Sequence, residues 1–379
     1  MTSRKISIGD IPIGKPLQFD AYGSDGGLLL RKGQIIANDR MAVELLTRGL
    51  YVEASASGDA ALDKNAPVKQ VEIRSVLRMI VTARNDARTL LYNLAAESNA
   101  SEKLLALASQ IVLATKTDFD VALGCILLEQ EGSYGARHCV DTALISILIA
   151  RAMKKPEDEI VLLCAAALTM NLSMVRLHDK LQEKTEPLNA GERQFIERHP
   201  ENSVKLLREA GVSDEDWISW ILSHHEHENS TGYPGHKLGL DIPRNAKILS
   251  VADTYTACIS NRKYRKTLLP NVALREIVAS SKSTTEPMMA ALLIRELGAY
   301  PIGSYVRLLD GEIGVVTSKG SSPTTPYVHT LIGARGAPLA AAIKRDTQQA
   351  LHGVRDVLYR EQLVLKFTMR QLWGEAASL

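Results

Sequence analysis

Residues 224–265 read "HHEHENSTGYPGHKLGLDIPRNAKILSVADTYTACISNRKYR", and the order of the pieces in this stretch governs how the whole chain is understood. His224 and His225 open it. Adjacent residues in the middle of a helix project about 100° apart, a poor arrangement for two ligands of one ion. Here "DWISWILSHH" runs straight into polar "EHENSTGYPG", so the pair sits where a helix ends and the geometry relaxes. Gly232-Tyr233-Pro234 follows, with glycine supplying backbone freedom. Asp253 lies in the apolar run "ILSVADTYTA", with Arg262 and Arg265 nine and twelve residues beyond it. Taken alone, "NRKYRK" reads as a solvated helix end.

Around this stretch the composition is ordinary. The 379 residues, 45% hydrophobic and 23% charged with net charge +2, allow two or three compact units with one sizeable core. The near-neutral balance argues against bulk binding of nucleic acid or an anionic membrane. Cys125, Cys139, Cys164 and Cys258 are scattered without a CxxC pair and read as reduced core residues of a cytoplasmic protein. The opening "MTSRKISIGD" lacks the apolar run of a signal peptide. The longest apolar stretches, such as 160–168, are about half the ~20 residues a membrane span needs.

The pattern divides the chain. Residues 1–55 predict a small α+β domain, with a Gly-rich turn feeding a strand in "GSDGGLLLRKGQII" and then a helix capped by Asn38 and ended by Gly49. Residues 56–70 are small, polar and non-periodic, and read as a linker. From 71 to about 298 the apolar period is helical, as in "RSVLRMIVTARNDARTLLYNL". Thereafter it shifts towards two, and "YVRLLDGEIGVVTS" predicts a hairpin turning at Asp310-Gly311, closing a domain that runs to 345. The tail, 346–379, stays open between strand and helix.

Two further histidines stand upstream, His138 in "GARHCVD" and His199 in "IERHPEN". A lone helical histidine is more often structural than a ligand. In company, the double His, the GYP, the IP-x-x-A-x-IL-x-VAD-x-Y run and the R-x-x-R step resemble, in that order, the HD-GYP family. Its members are bacterial phosphodiesterases that linearise and cleave the second messenger cyclic di-GMP. The resemblance covers about residues 75–345. It implies a mainly α fold, an HD-type helical bundle with a short C-terminal β segment, here joined to the small N-terminal α+β domain. It further implies a bridged two-metal hydrolase site. One ion would use the His of the HD pair with His138 and Asp253, the other His199, His224 and His225, and the Asp of the pair would span both. Gly232, Tyr233, Pro234, Arg262 and Arg265 would contact the nucleotide.

The register of the HD pair breaks this pattern. In the family an HD-x-G-K run follows an apolar "AAL", here 166–168, and precedes a Pro-Leu, here in "PLNAGE" (187–192). Counting without a gap puts the family's His on Met170, its Asp on Asn171 and its Lys on Met174. His178-Asp179 stands eight residues past Met170, where the family has a loop, and is expected to be a solvated surface pair. Asn171 is neutral and cannot bridge two ions, Met170 offers a thioether ill suited to Mn, Fe or Mg, and Met174 removes a cation. No catalytic set is intact on this register. Tyr134, four residues before His138, is not an acid and gives no support for a third metal. Asn229-Ser230 replaces the usual Asp-Gly, and Thr256 an Asp.

The expected cofactor is therefore one transition metal ion (Fe, Mn or Zn) on His199, His224 and His225 rather than a dinuclear centre. The leading function is a cyclic di-GMP receptor or scaffold in bacterial signalling, catalytically impaired. The alternatives are a slow metal-dependent cyclic di-GMP phosphodiesterase and a pure protein-interaction module. Expected partners are cyclic di-GMP, signalling proteins and a second copy of the chain in a homodimer, with no nucleic acid and no membrane.

Overall fold

A computed structural model describes residues 3–6, 16–17, 19–23, 26–34, 36, 51–53, 74–261, 267–281, 283–363 and 366–379. The chain divides into two units, Met1–Ile73 and Arg74–Leu379. In the first, strands β1 (Ser3–Lys5), β2 (Ala21–Tyr22), β3 (Leu28–Leu30) and β4 (Tyr51–Glu53) form an antiparallel sheet in the order β1-β4-β2-β3. Its small core holds Ile6, Leu17, Ala21, Leu30 and Ile36. The helix expected from Asn38 to Gly49 and the linker at 56–70 lie outside the described residues.

Up to residue 297 the described residues of the second unit form helices and their connections. Its helices are α1 (Val76–Tyr92), α2 (Ala100–Thr117), α3 (Phe119–Leu128), α4 (Tyr134–Ala152), α5 (Glu157–Thr169), α6 (Val175–Glu183), α7 (Ala190–Glu197), α8 (His199–Glu209), α9 (Glu215–Ser223), α10 (Arg244–Ile259), α11 (Pro270–Ser280) and α12 (Pro287–Leu297). The outer helix α1 buries Val76, Ile80, Ala83, Ala87 and Leu91 along one face at helical spacing, and Ser75 caps it by accepting from the Arg78 amide at 3.2 Å. By contrast α4 is buried from Tyr134 to Ala150 without a polar face, as an axial helix must be, and α1, α5 and α10 pack around it. The acidic first turn of α5 (Glu157, Asp158, Glu159) complements its dipole. The helical stretch 157–183 is long and apolar enough, on length and composition, to cross a membrane, yet 72% of its apolar window is buried inside the protein. Cys125, Cys139 and Cys164 are buried free thiols and Cys258 is half-buried, as their apolar contexts predict.

Beyond α12 the chain forms more than the expected hairpin. Strands β5 (Tyr305–Leu308), β6 (Ile313–Ser318), β7 (Tyr327–Ile332), β8 (Pro338–Asp346) and β9 (Val354–Leu358) make an antiparallel sheet in the order β8-β7-β6-β5-β9. The β5–β6 turn falls where the sequence puts it, with Gly311 at φ +92°, a conformation that favours glycine. The tail resolves into β9 and a short helix, α13 (Met369–Trp373), which returns to the helical core. Trp373 lies against Gly124 of α3, where a Cβ would come within 2.8 Å of the indole, and its Nε1 donates to the Thr317 carbonyl at 3.0 Å.

Candidate metal and nucleotide site

The helix ends assemble the histidines. α9 stops at Ser223, leaving His224 as its C-cap, fully buried, with His225 half-buried in the turn that follows. His199 begins α8, with Pro200 at the position where a missing N–H costs nothing. The ring centroid of His199 lies 5.1 Å from that of His224 and 4.9 Å from that of His225, and the last two are 4.2 Å apart. His199, His224 and His225 thus converge as a group able to share one ion.

Two carbonyls fix which nitrogens face inward. His224 Nδ1 donates to the Ile221 carbonyl at 2.6 Å, and His199 Nδ1 donates to that of Ile196. Neutral imidazoles held this way turn two Nε2 lone pairs toward each other, 3.1 Å apart. Lone pairs facing at that distance repel unless a cation lies between them, and backbone orientation of the outer nitrogen is a usual feature of metal-bound histidine. Burial lowers His199 to about 3, with His224 adding to the effect, and burial also lowers His224 and His225. The rings therefore stay neutral, which is the ligating form. The donor set fits one ion of the imidazole-binding class.

The other half of the site is a buried histidine–aspartate hydrogen bond. His138 on α4 meets Asp253 on α10 through Nε2 and Oδ1 at 2.7 Å. Burial opposes the charge on Asp253, but the hydrogen bond from His138 outweighs it and holds the carboxyl well below its ordinary range. Thr256, one turn beyond Asp253, is buried and joins its hydroxyl to that of Thr142 at 2.9 Å, so it pins α10 to α4.

Beside His199 runs the turn after α5. Met170, its C-cap, is fully buried in the apolar core, and Met174 is also buried. Asn171 is 1% exposed, and neither its Oδ1 nor its Nδ2 has a hydrogen-bond partner. Two residues on, Ser173 docks this turn onto α8, its amide donating to Ser203 Oγ and its hydroxyl to the His199 carbonyl, both at 3.1 Å. A buried amide with both ends unpaired is costly and marks a place where a ligand atom or ion belongs.

His178 and Asp179 are not the solvated pair that the sequence suggests. His178 is buried, its ring 5.4 Å from that of His138 and 5.7 Å from that of Tyr134. Asp179 accepts from the Gly135 amide at 2.8 Å, from Ser133 Oγ at 3.0 Å and from the Tyr92 hydroxyl. It thereby caps α4 in place of Ser133, whose own side chain makes no cap bond. The error is one of register on a helix: α6 lies along α4, so Val175, His178 and Leu181 face the core together.

The GYP loop closes over the imidazoles. Tyr233 stacks on His225 at 4.7 Å with an interplanar angle of 21°, and its amide donates to the His225 carbonyl at 3.1 Å. Gly232 is obligatory there, because a Cβ would lie 2.4 Å from the His225 carbonyl oxygen. Pro234 follows, half-buried. Glu226, passed over in the sequence, organises the loop: its buried carboxylate accepts from the Gly235 amide at 2.6 Å and the Lys237 amide at 2.9 Å. Only its place directly after the histidine pair could have drawn attention to it. Arg262 and Arg265 lie outside the described residues. A second convergent group, Asp310, Glu312 and His352, is already satisfied: Arg345 takes both oxygens of Glu312 and His352 meets Asp310 at 2.9 Å.

With fold and site in view, comparison with known proteins places the class. The model of the HD domain family matches residues 125–287. Residues 125–287 are thus similar to HD domains, which bind divalent metals. The chain is 28% identical to a cyclic di-GMP phosphodiesterase of Pseudomonas aeruginosa over 56% of this chain and 51% of that protein. It is 25% identical to a cyclic di-GMP phosphodiesterase of Borreliella burgdorferi, over 53% of each. A 3'3'-cGAMP-specific phosphodiesterase of Vibrio cholerae is 25% identical over 41% of this chain and 30% of its own length. The chain thus spans about half the length of the first two relatives. Among solved structures, an HDG"Y"P protein from Bdellovibrio bacteriovorus superposes with a TM-score of 0.51 at 15% identity, over 77% of this chain and 98% of that one, a likeness of fold.

Proposed function

We propose that this chain is a cytoplasmic cyclic di-GMP signalling protein that binds one metal ion on His199, His224 and His225 and is impaired as a phosphodiesterase. The observation that carries this is Asn171, buried and unpaired in the turn docked against α8. A neutral amide there can lend one oxygen to one ion, but it neither bridges two ions nor offsets their charge. Met170 and Met174 add no ligand and no cation beside it. The stacked Tyr233 and the intact GYP loop support a retained nucleotide surface, and the sequence adds Arg262 and Arg265 as candidate contacts. The convergent imidazoles and the phosphodiesterase relatives favour a second reading, slow hydrolysis of cyclic di-GMP on one ion.

One experiment separates these readings. Metal content and cyclic di-GMP hydrolysis with Mn or Fe(II) are measured for the parent, for Met170→His and Asn171→Asp singly, and for the double variant. The parent is expected to hold at most one ion and to turn over little. The double variant should hold two ions and gain activity that neither single shows, because the groups act as a unit. A parent with two stoichiometric ions, or with the turnover of the double variant, overturns the impaired reading. For the ligand, Arg262→Ala and Arg265→Ala should each weaken cyclic di-GMP binding by about 1.5–3 kcal/mol by calorimetry. A parent that binds no cyclic di-GMP would favour the interaction-module reading instead.

A further inference from the structure

A cleft of about 640 Å³ opens between the helical bundle and the C-terminal sheet, and none of His138, His199, His224, His225, Tyr233 or Asp253 lines it. Its lining includes Arg137, Gln130, Gln182, Ser304, Tyr305 and Arg360. Arg137 is 4% exposed, yet no carboxylate stands within ion-pair distance of it among the described residues. Its Nη1 donates to the Gln130 carbonyl and its guanidinium lies 5.6 Å from the Tyr134 ring centroid. The acids that act on it through space are committed elsewhere. Asp141 pairs with buried Arg84 at 2.5 Å, and Asp179 caps α4. Two buried guanidiniums therefore share one buried carboxylate, and a buried cation without its own anion is a costly arrangement. Ser304 is 2% exposed and its hydroxyl has no partner. Arg360, exposed, offers a second guanidinium on the same cleft.

We propose that this cleft is a second binding site, for an anion of mononucleotide size that carries a phosphate group. Arg137 supplies the buried countercharge and Arg360 an exposed one, a pairing suited to phosphate oxygens. The volume falls in the range of small-molecule sites and exceeds what a bare phosphate fills. Tyr305 and the amide of Gln182 offer a ring face and a hydrogen-bonding edge for a heterocycle. The site does not depend on the histidine centre or on its metal.

Calorimetry and thermal shift on the full chain test this, with AMP, GMP and inorganic phosphate as probes and with parent, Arg360→Ala, Arg137→Gln and His224→Ala proteins. At least one nucleotide is expected to bind the parent and to stabilise it. Arg360→Ala should weaken that binding about tenfold or more, Arg137→Gln should abolish it, and His224→Ala should leave it intact. Because Arg137→Gln can unfold the protein, the exposed Arg360→Ala decides the matter by itself. Absence of nucleotide binding at millimolar concentration, or equal affinity in Arg360→Ala and parent, overturns the proposal. So does loss of binding in His224→Ala alone, which would put the nucleotide at the histidine centre. Phosphate binding as tight as that of either nucleotide would overturn the assigned ligand size.

Discussion

Asp179 shows how much one side chain carries away from the histidine centre. Its carboxylate ties the start of α4 to α1 and α6 through Gly135, Ser133 and Tyr92. Asp179→Ala leaves those donors without their acceptor, and a loss of about 1–3 kcal/mol is expected, the cost of stripping hydrogen bonds from a charged group. Urea unfolding measures it; a stability equal to the parent's would mean that the contacts are incidental. Tyr92 adds an alkaline signature. Partial burial and then the Asp179 hydrogen bond raise its phenol from 10.0 to about 12. The neutral form is thus favoured in the folded state, so this contribution is whole below pH 10 and is lost as pH rises from there through about 12. Asp179→Ala should reduce that alkaline slope.

At the scale of the element, the GYP loop is a clamp on one imidazole. Its conformation rests on Gly232 against the backbone of 225–227 and on Glu226 binding the amides of Gly235 and Lys237. Gly232→Ala is expected to push the loop off, at about 1–3 kcal/mol for an overpacked contact, and to unstack Tyr233 from His225. Metal affinity should fall with it, since His225 loses the ring that orients it. Equilibrium dialysis against Zn or Mn reads this directly, and unchanged affinity would show that His225 holds its place without the loop.

For the whole second unit, the C-terminal residues are part of the core rather than an appendage. Trp373 is 5% exposed and sits against α3 while bonding Thr317 on β6, so it joins bundle and sheet. Trp373→Ala should cost about 3–5 kcal/mol, the range for emptying a buried aromatic position. Removing 366–379 should destabilise at least as much, since Met369 and Leu372 leave with it. A truncated chain that unfolds at the same urea concentration as the parent would contradict this packing.

Read alone, the sequence made legible the helical class of the described residues from 74 to 297, the turn at Asp310-Gly311 and the candidate ligands His199, His224 and His225. Each of these is a local matter of apolar period, turn chemistry or residue order. It also located the anomaly at Met170-Asn171, because an ungapped count needs no coordinates. It misjudged His178-Asp179, and it passed over Glu226 and the role of Trp373. Those depend on which face of α6 meets α4, on a loop folding back over its own start and on a tail returning to α3. Contacts between residues distant in the chain are set by packing, and only the tertiary structure decides them, because the same polar residue is a solvated surface group or a buried capping acceptor according to what lies opposite it.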